Sequence, residues 1–219
     1  MTFSTRSTLL PDNSFAPYTV IRQNQYCRMP WKNNLGETLE ICRSADDKGL
    51  RFRISQAPIV DNSTFSDFSG LDRSLILLKG AGINLQHQKK NQNISRHSLK
   101  LELDMAHFDG EAITQTDLIN GSIEALNIMV RKQDTKADIK VCIAPFCLNY
   151  DLTEISLFTG FYTHSICSLE LIMQYIQKGN QKSIFWSIDL PENSLFIVNS
   201  DATLLCKTGH GIFIKVKEF

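Results

Sequence analysis

Neither sign of charge dominates this sequence: 23 Lys and Arg residues meet 23 Asp and Glu residues over 219 positions. Without a net field the chain has no broad attraction for nucleic acid or anionic lipid, so neither is expected as a partner. Long apolar runs are also missing. No stretch approaches the roughly 20 residues of a membrane-spanning helix, and residues 1–11 lack the apolar centre of a secretion signal, which makes a cytoplasmic location the expectation. The six cysteines, at 27, 42, 142, 147, 167 and 206, contain no C-x-x-C pair. In a chain that is 42% hydrophobic they read as reduced, small core residues rather than a disulfide framework.

The usual chemical motifs are absent too. His87, His97, His107, His164 and His210 fall into no H-x-H, H-x-x-E-H or H-E-x-x-H pattern, so no metal is expected. There is no G-x-S-x-G elbow, and no cysteine stands in an activating context. Gly80-Ala81-Gly82 lacks both the third glycine and the following helix of a phosphate loop. Motifs therefore assign no catalytic residue and no cofactor.

What the sequence does contain is alternation of apolar and polar residues over short runs, the mark of half-buried strands. It predicts strands over 18–21, 38–42, 50–57, 74–79, 99–103, 112–118 and 125–132, then over 139–143, 155–162, 184–188, 194–198, 203–207 and 211–217. Gly80-Ala81-Gly82 predicts a tight hairpin into 83–87, because glycine supplies positive φ. The polar run 89–98 reads as an exposed loop and Asp189 to Ser194 as a turn. Residues 169–177 fit a helix or a strand. Many short strands with close turns give an all-β sandwich or barrel.

Three segments carry candidate chemistry. Arg28 to Thr38 mixes cations, the Trp31 indole and amides ahead of a strand, and places Lys32 and Asn33 where a carboxylate or amide ligand could be met. Along Arg51 to Ser55, period two puts Arg51, Arg53 and Ser55 on one strand face, lining a polar cavity or facing water. In Phe65 to Arg73, adjacent Asp72 and Arg73 read as an ion pair or cap, with Phe65 and Phe68 as a lid over the core.

Met29-Pro30-Trp31-Lys32-Asn33, Arg53-Ile54-Ser55, Phe65 to Arg73, Leu78 to Gly82, Phe108-Asp109-Gly110-Glu111 and Leu126 to Arg131 together resemble the HutD/Ves family, in order, across roughly residues 15–132. The resemblance implies a cupin-superfamily β-barrel of bicupin type, with a lobe at about 15–132 and another at about 133–219 packed in one domain. It further implies bacterial histidine utilisation, where HutD-like members bind a small acidic pathway compound, or a Ves-like stress-linked role.

The leading expectation is a non-catalytic, regulatory protein holding a small anionic metabolite such as urocanate or a formylglutamate-like compound. Lys32, Asn33, Arg53, Ser55, Arg73 and Asn127 would supply the polar contacts, and Trp31, Phe65, Phe108 and Met129 the wall. The rivals are a metal-independent isomerase or hydrolase using Glu37, Asp72 or Glu111 as general base, and a structural protein acting through a homodimer.

Overall fold

The alternation resolves into strands throughout. A computed structural model describes residues 17–31, 36–90, 93–151, 156–177 and 180–219. In chain order these form β1 (Tyr18–Ile21), β2 (Cys27–Pro30), β3 (Glu37–Asp46), β4 (Gly49–Ile59), β5 (Leu71–Lys79), β6 (Ile83–Gln88), β7 (Ser95–Leu99), β8 (Met105–Asp109), β9 (Ile113–Leu118) and β10 (Ile123–Arg131). The chain continues through β11 (Thr135–Ile143), β12 (Phe146–Tyr150), β13 (Phe158–Thr163), β14 (Cys167–Gln177), β15 (Asn180–Leu190), β16 (Leu195–Val198), β17 (Ala202–Thr208) and β18 (His210–Glu218). No helix among the described residues is long and apolar enough to cross a membrane.

The chain divides into two compact units, Tyr26–Lys136 and Ala137–Phe219, the latter joined by residues 17–25. In the first, a six-stranded sheet ordered β2-β3-β4-β10-β5-β8 accompanies a three-stranded sheet ordered β7-β6-β9. Leu75, Leu77, Ala106, Phe108, Ile123 and Ala125 of the larger sheet pack with Ile83, Leu85 and Leu99 of the smaller. In the second, a β1-β16-β13-β18-β11 sheet and a β12-β17-β14-β15 sheet share a core centred on Phe161, Leu169, Leu171, Phe196 and Leu204. The architecture is all-β, as expected. Each unit keeps two separate hydrogen-bonded sheets, however, so the form is a sandwich and not a closed barrel.

Several local expectations are corrected. Gly80 and Gly82 do have positive φ, at 110° and 120°, but β5 and β6 belong to different sheets. The turn therefore carries the chain from one sheet to the other instead of closing a hairpin, and Asn120-Gly121 does the same between β9 and β10. The loop expected over 89–98 ends at 94, since Ser95–Leu99 is an edge strand beside β6. Of the strand expected over 99–103, only Leu99 is strand, as the end of β7, and the residues after it form a turn. The Asp104 carboxylate accepts the backbone N–H of Lys100 (2.8 Å) and Leu101 (2.9 Å), which satisfies those donors outside any ladder.

Residues 169–177 are strand, paired along their length with β15. β1 pairs with β16, so the chain ahead of Tyr26 belongs with the second unit and not with the first lobe. Of the cysteines, 142, 167 and 206 are buried core residues as read, whereas Cys27 and Cys147 are exposed.

The crossover glycine gives a direct check. A Cβ at Gly82 would lie 2.4 Å from the Leu99 carbonyl oxygen, while Gly121 faces open space. Gly82→Ala should therefore cost about 2 kcal/mol and Gly121→Ala about 1 kcal/mol in urea unfolding. Equal losses would show that the close approach to Leu99 is not a constraint.

Candidate functional site

The centre of the six-stranded sheet sets the geometry. β10 lies antiparallel between β4 and β5, so Ser55, Asn127 and Leu75 form one cross-strand row and Arg53, Met129 and Arg73 the next. Opposite residues share a face, and alternate residues along a strand return to it. β8 extends the second row, placing Phe108 opposite Arg73. The loop after β4 is stitched to β9 by Phe65 N–H to the Thr114 carbonyl (2.9 Å) and Thr116 N–H to the Ser63 carbonyl (2.9 Å). It brings Phe65 and Phe68 over the same face.

These elements enclose a cavity of about 410 Å³, in the size range of small-molecule sites, roughly 300–1,000 Å³. Seven of the sequence candidates line it: Trp31, Arg53, Ser55, Phe65, Arg73, Asn127 and Met129. Phe108 stands behind Arg73. Lys32 and Asn33 lie outside the described residues.

The two arginines differ in kind. Arg53 is already partnered, its Nε donating to Glu40 Oε2 at 2.7 Å and an Nη to Met29 Sδ at 3.3 Å. Trp31 is fixed beside it by an Nε1–H bond to Thr38 Oγ1 at 3.0 Å. Arg73 is only 5% exposed, and its guanidinium makes no hydrogen bond or ion pair among the described residues. Three rings surround it instead: its Cζ lies 4.8 Å from the Phe65 centroid, 5.0 Å from Phe68 and 5.0 Å from Phe108.

Aromatic faces attract a cation but do not satisfy its N–H donors. Burial pulls the Arg73 guanidinium down to about 10, so it stays charged at neutral pH. Nearby, Asn127 Oδ1 is also buried without a hydrogen-bond partner. The cavity thus offers an unspent cation and an unspent acceptor in adjacent rows.

The ion pair expected between Asp72 and Arg73 does not form. Neighbours on a strand point to opposite faces, so Asp72 is exposed on β5, 3.9 Å from Lys132, while Arg73 points inward. None of the proposed general bases lines the cavity. Glu37 pairs with Arg28, Asp72 faces outward, and Glu111 is exposed in the β8–β9 turn. Glu40 was missed by sequence reasoning, although Thr38 and Glu40 at i, i+2 behind Trp31 are a polar stripe on the face that Arg53 occupies. The described residues contain no cluster of three or more His, Cys, Asp or Glu able to hold a metal ion.

Behind Phe108 lies a second polar group. His87 stacks on Phe108 with ring centroids 4.4 Å apart. Its Nδ1 is 2.9 Å from Thr114 Oγ1 and its Nε2 is 3.0 Å from His97 Nδ1. Burial first, then His97 and Arg73, pull the His87 imidazole down to about 4.

Comparisons with known proteins agree with this architecture. The sequence model of the HutD family matches residues 23–162. A 21.2 kDa protein from the hutC 3′ region of Pseudomonas putida is 31% identical over 123 residues, covering 55% of this chain and 62% of that protein. Protein Ves of Citrobacter koseri is 33% identical over 118 residues, covering 53% and 59%. The matches thus span about three-fifths of each of these relatives. Among solved structures, HutD from Pseudomonas fluorescens SBW25 superposes with a TM-score of 0.70 at 22% identity, covering 92% of this chain and 99% of that one. The YlbA protein of E. coli superposes at 0.58 with 10% identity, covering 92% and 90%.

The Glu40–Arg53 pair is the part of the site that serves the fold. Removing one partner of a buried pair strands the other charge, so Glu40→Ala should lower unfolding free energy by about 3 kcal/mol in a denaturant titration. A loss below about 1 kcal/mol would mean that Arg53 finds water or another acceptor.

Proposed function

The chain belongs to the HutD family, and from that premise we propose that it is a regulatory binding protein for a small carboxylate- or amide-bearing metabolite of histidine degradation, of the urocanate or formylglutamate type. One observation carries the reading: Arg73, buried against the cavity and caged by three phenylalanines, has no anion as a partner among the described residues. A buried cation without a counter-ion is costly to the fold. A ligand carboxylate would supply the missing acceptor through charge-assisted hydrogen bonds. Asn127 Oδ1 would accept an N–H from the same ligand, and Ser55, Met129, Phe65 and Trp31 would form the walls. The family setting supports the metabolite class, since one relative is encoded in a hutC 3′ region and the superposing HutD was solved in a formate condition.

This reading separates binding from stability at one residue. Arg73→Met keeps the volume and removes the unpaired charge, so the ligand-free variant should melt at the native temperature or above it. The rise in melting temperature that urocanate, formylglutamate or formate gives the native protein should disappear. Each charge-assisted bond contributes about 1.5–3 kcal/mol, so affinity should fall roughly 10- to 100-fold. If the variant instead unfolds at lower temperature, or keeps native affinity, Arg73 is structural and the proposal fails.

A further inference from the structure

The His87–His97 pair is not used by the binding reading, yet it is one ring away from the cage. Phe108 meets Arg73 at 5.0 Å and His87 at 4.4 Å. The hydrogen-bond chain around His87 also has a direction. The Thr114 hydroxyl has a single proton, and the Ala112 carbonyl at 3.1 Å can only accept it. Thr114 Oγ1 therefore accepts from His87 Nδ1–H, which leaves His87 Nε2 as the acceptor of His97 Nδ1–H. His87 is 3% exposed, whereas His97 stands half-buried on the edge strand β7. A proton added from solvent at His97 Nε2 can pass its Nδ1 proton to His87 Nε2, so that the charge arrives on the buried ring with no other bond changed.

We propose that anion occupancy of the Arg73 cage is coupled to uptake of one proton by the His87–His97 pair. This rests on the anion site proposed above. The groups facing the pair are Arg73 from β5, Phe108 and His107 from β8 and Thr114 from β9. No carboxylate pairs with either ring among the described residues. In the empty cage the Arg73 charge therefore acts uncompensated on His87, together with burial and His97. An anion on the guanidinium cancels that repulsion and makes the buried imidazole easier to protonate.

The sign follows from linkage. Occupancy raises the His87 midpoint above the value of about 4 that it has in the empty site. Anion affinity therefore increases as pH falls from the raised midpoint towards that value, by at most about tenfold per pH unit for one proton. The dependence is absent at higher pH, where His87 is neutral with and without the anion.

The test is histidine-ring NMR of the full chain between pH 7 and 3, which brackets the His87 midpoint with and without the anion, with methanesulfonate as an anion that stays ionised throughout. The midpoint of His87 should rise by at least half a pH unit with saturating methanesulfonate, and should rise similarly in Arg73→Met without any anion. Methanesulfonate should then have no further effect on the variant. If calorimetry shows the anion binding to the native protein while the midpoint stays fixed, the coupling is refuted. If Arg73→Met raises the midpoint but no anion binds, the binding reading has failed and takes this proposal with it, leaving only the charge effect of Arg73. Should Arg73→Met not fold, native calorimetry at pH 5 in two buffers of different ionisation enthalpy counts the protons directly. Net uptake supports the coupling and zero uptake overturns it.

Discussion

The cation of Arg73 held against three phenylalanine rings is the constraint around which the first unit is arranged. A guanidinium has five N–H donors, and aromatic faces answer its charge without accepting those hydrogen bonds. Keeping it there requires Phe108 from β8 together with Phe65 and Phe68 from the loop after β4. That loop must in turn be tied down, which explains its backbone bonds to β9 at Thr114 and Thr116. A fold selected for stability alone would place a carboxylate opposite Arg73 or replace it with an apolar residue of similar volume. The other end of the same row shows the first alternative, since Arg53 has Glu40.

This asymmetry depends on register. One strand, β10, fixes which residues of β4 and β5 face each other, and a slip of one residue would turn Asn127 and Met129 away from the cavity and present Leu126 and Ile128. Leu126 and Ile128 are fully buried on the other face. The apolar set on one side of the strand therefore holds the polar set on the other in place.

Much of this was legible in the sequence, and the failures have specific physical causes. Period two placed Arg53 and Ser55 together, and the family motifs contributed Trp31, Phe65, Phe108, Asn127 and Met129. The same period, applied to Asp72 and Arg73, would have separated them, because adjacent strand residues cannot share a face. Proximity in sequence was read as proximity in space. The Gly80-Ala81-Gly82 turn shows the complementary limit: glycine reports positive φ, but not whether the next strand pairs with the last or crosses to another sheet. In a jelly roll, successive strands cross repeatedly, and only long-range pairing reveals it. That Arg73 has no hydrogen-bond or ion-pair partner among the described residues was likewise invisible, since it is defined by everything that surrounds the side chain.

The cost of that missing partner bears on what kind of site this is. If Arg73 were a relic of structure, its three phenylalanines would be expected to seal it from the cavity; instead it is among the residues lining the cavity, next to an amide oxygen that also lacks a donor. Two unsatisfied groups of opposite hydrogen-bonding character, one row apart, are complementary to a molecule carrying an anionic group and an N–H. Each alone is a defect that a fold tolerates. Together they fit the ligand proposed above, and on that proposal the stability withheld at Arg73 and Asn127 is free energy available for binding it.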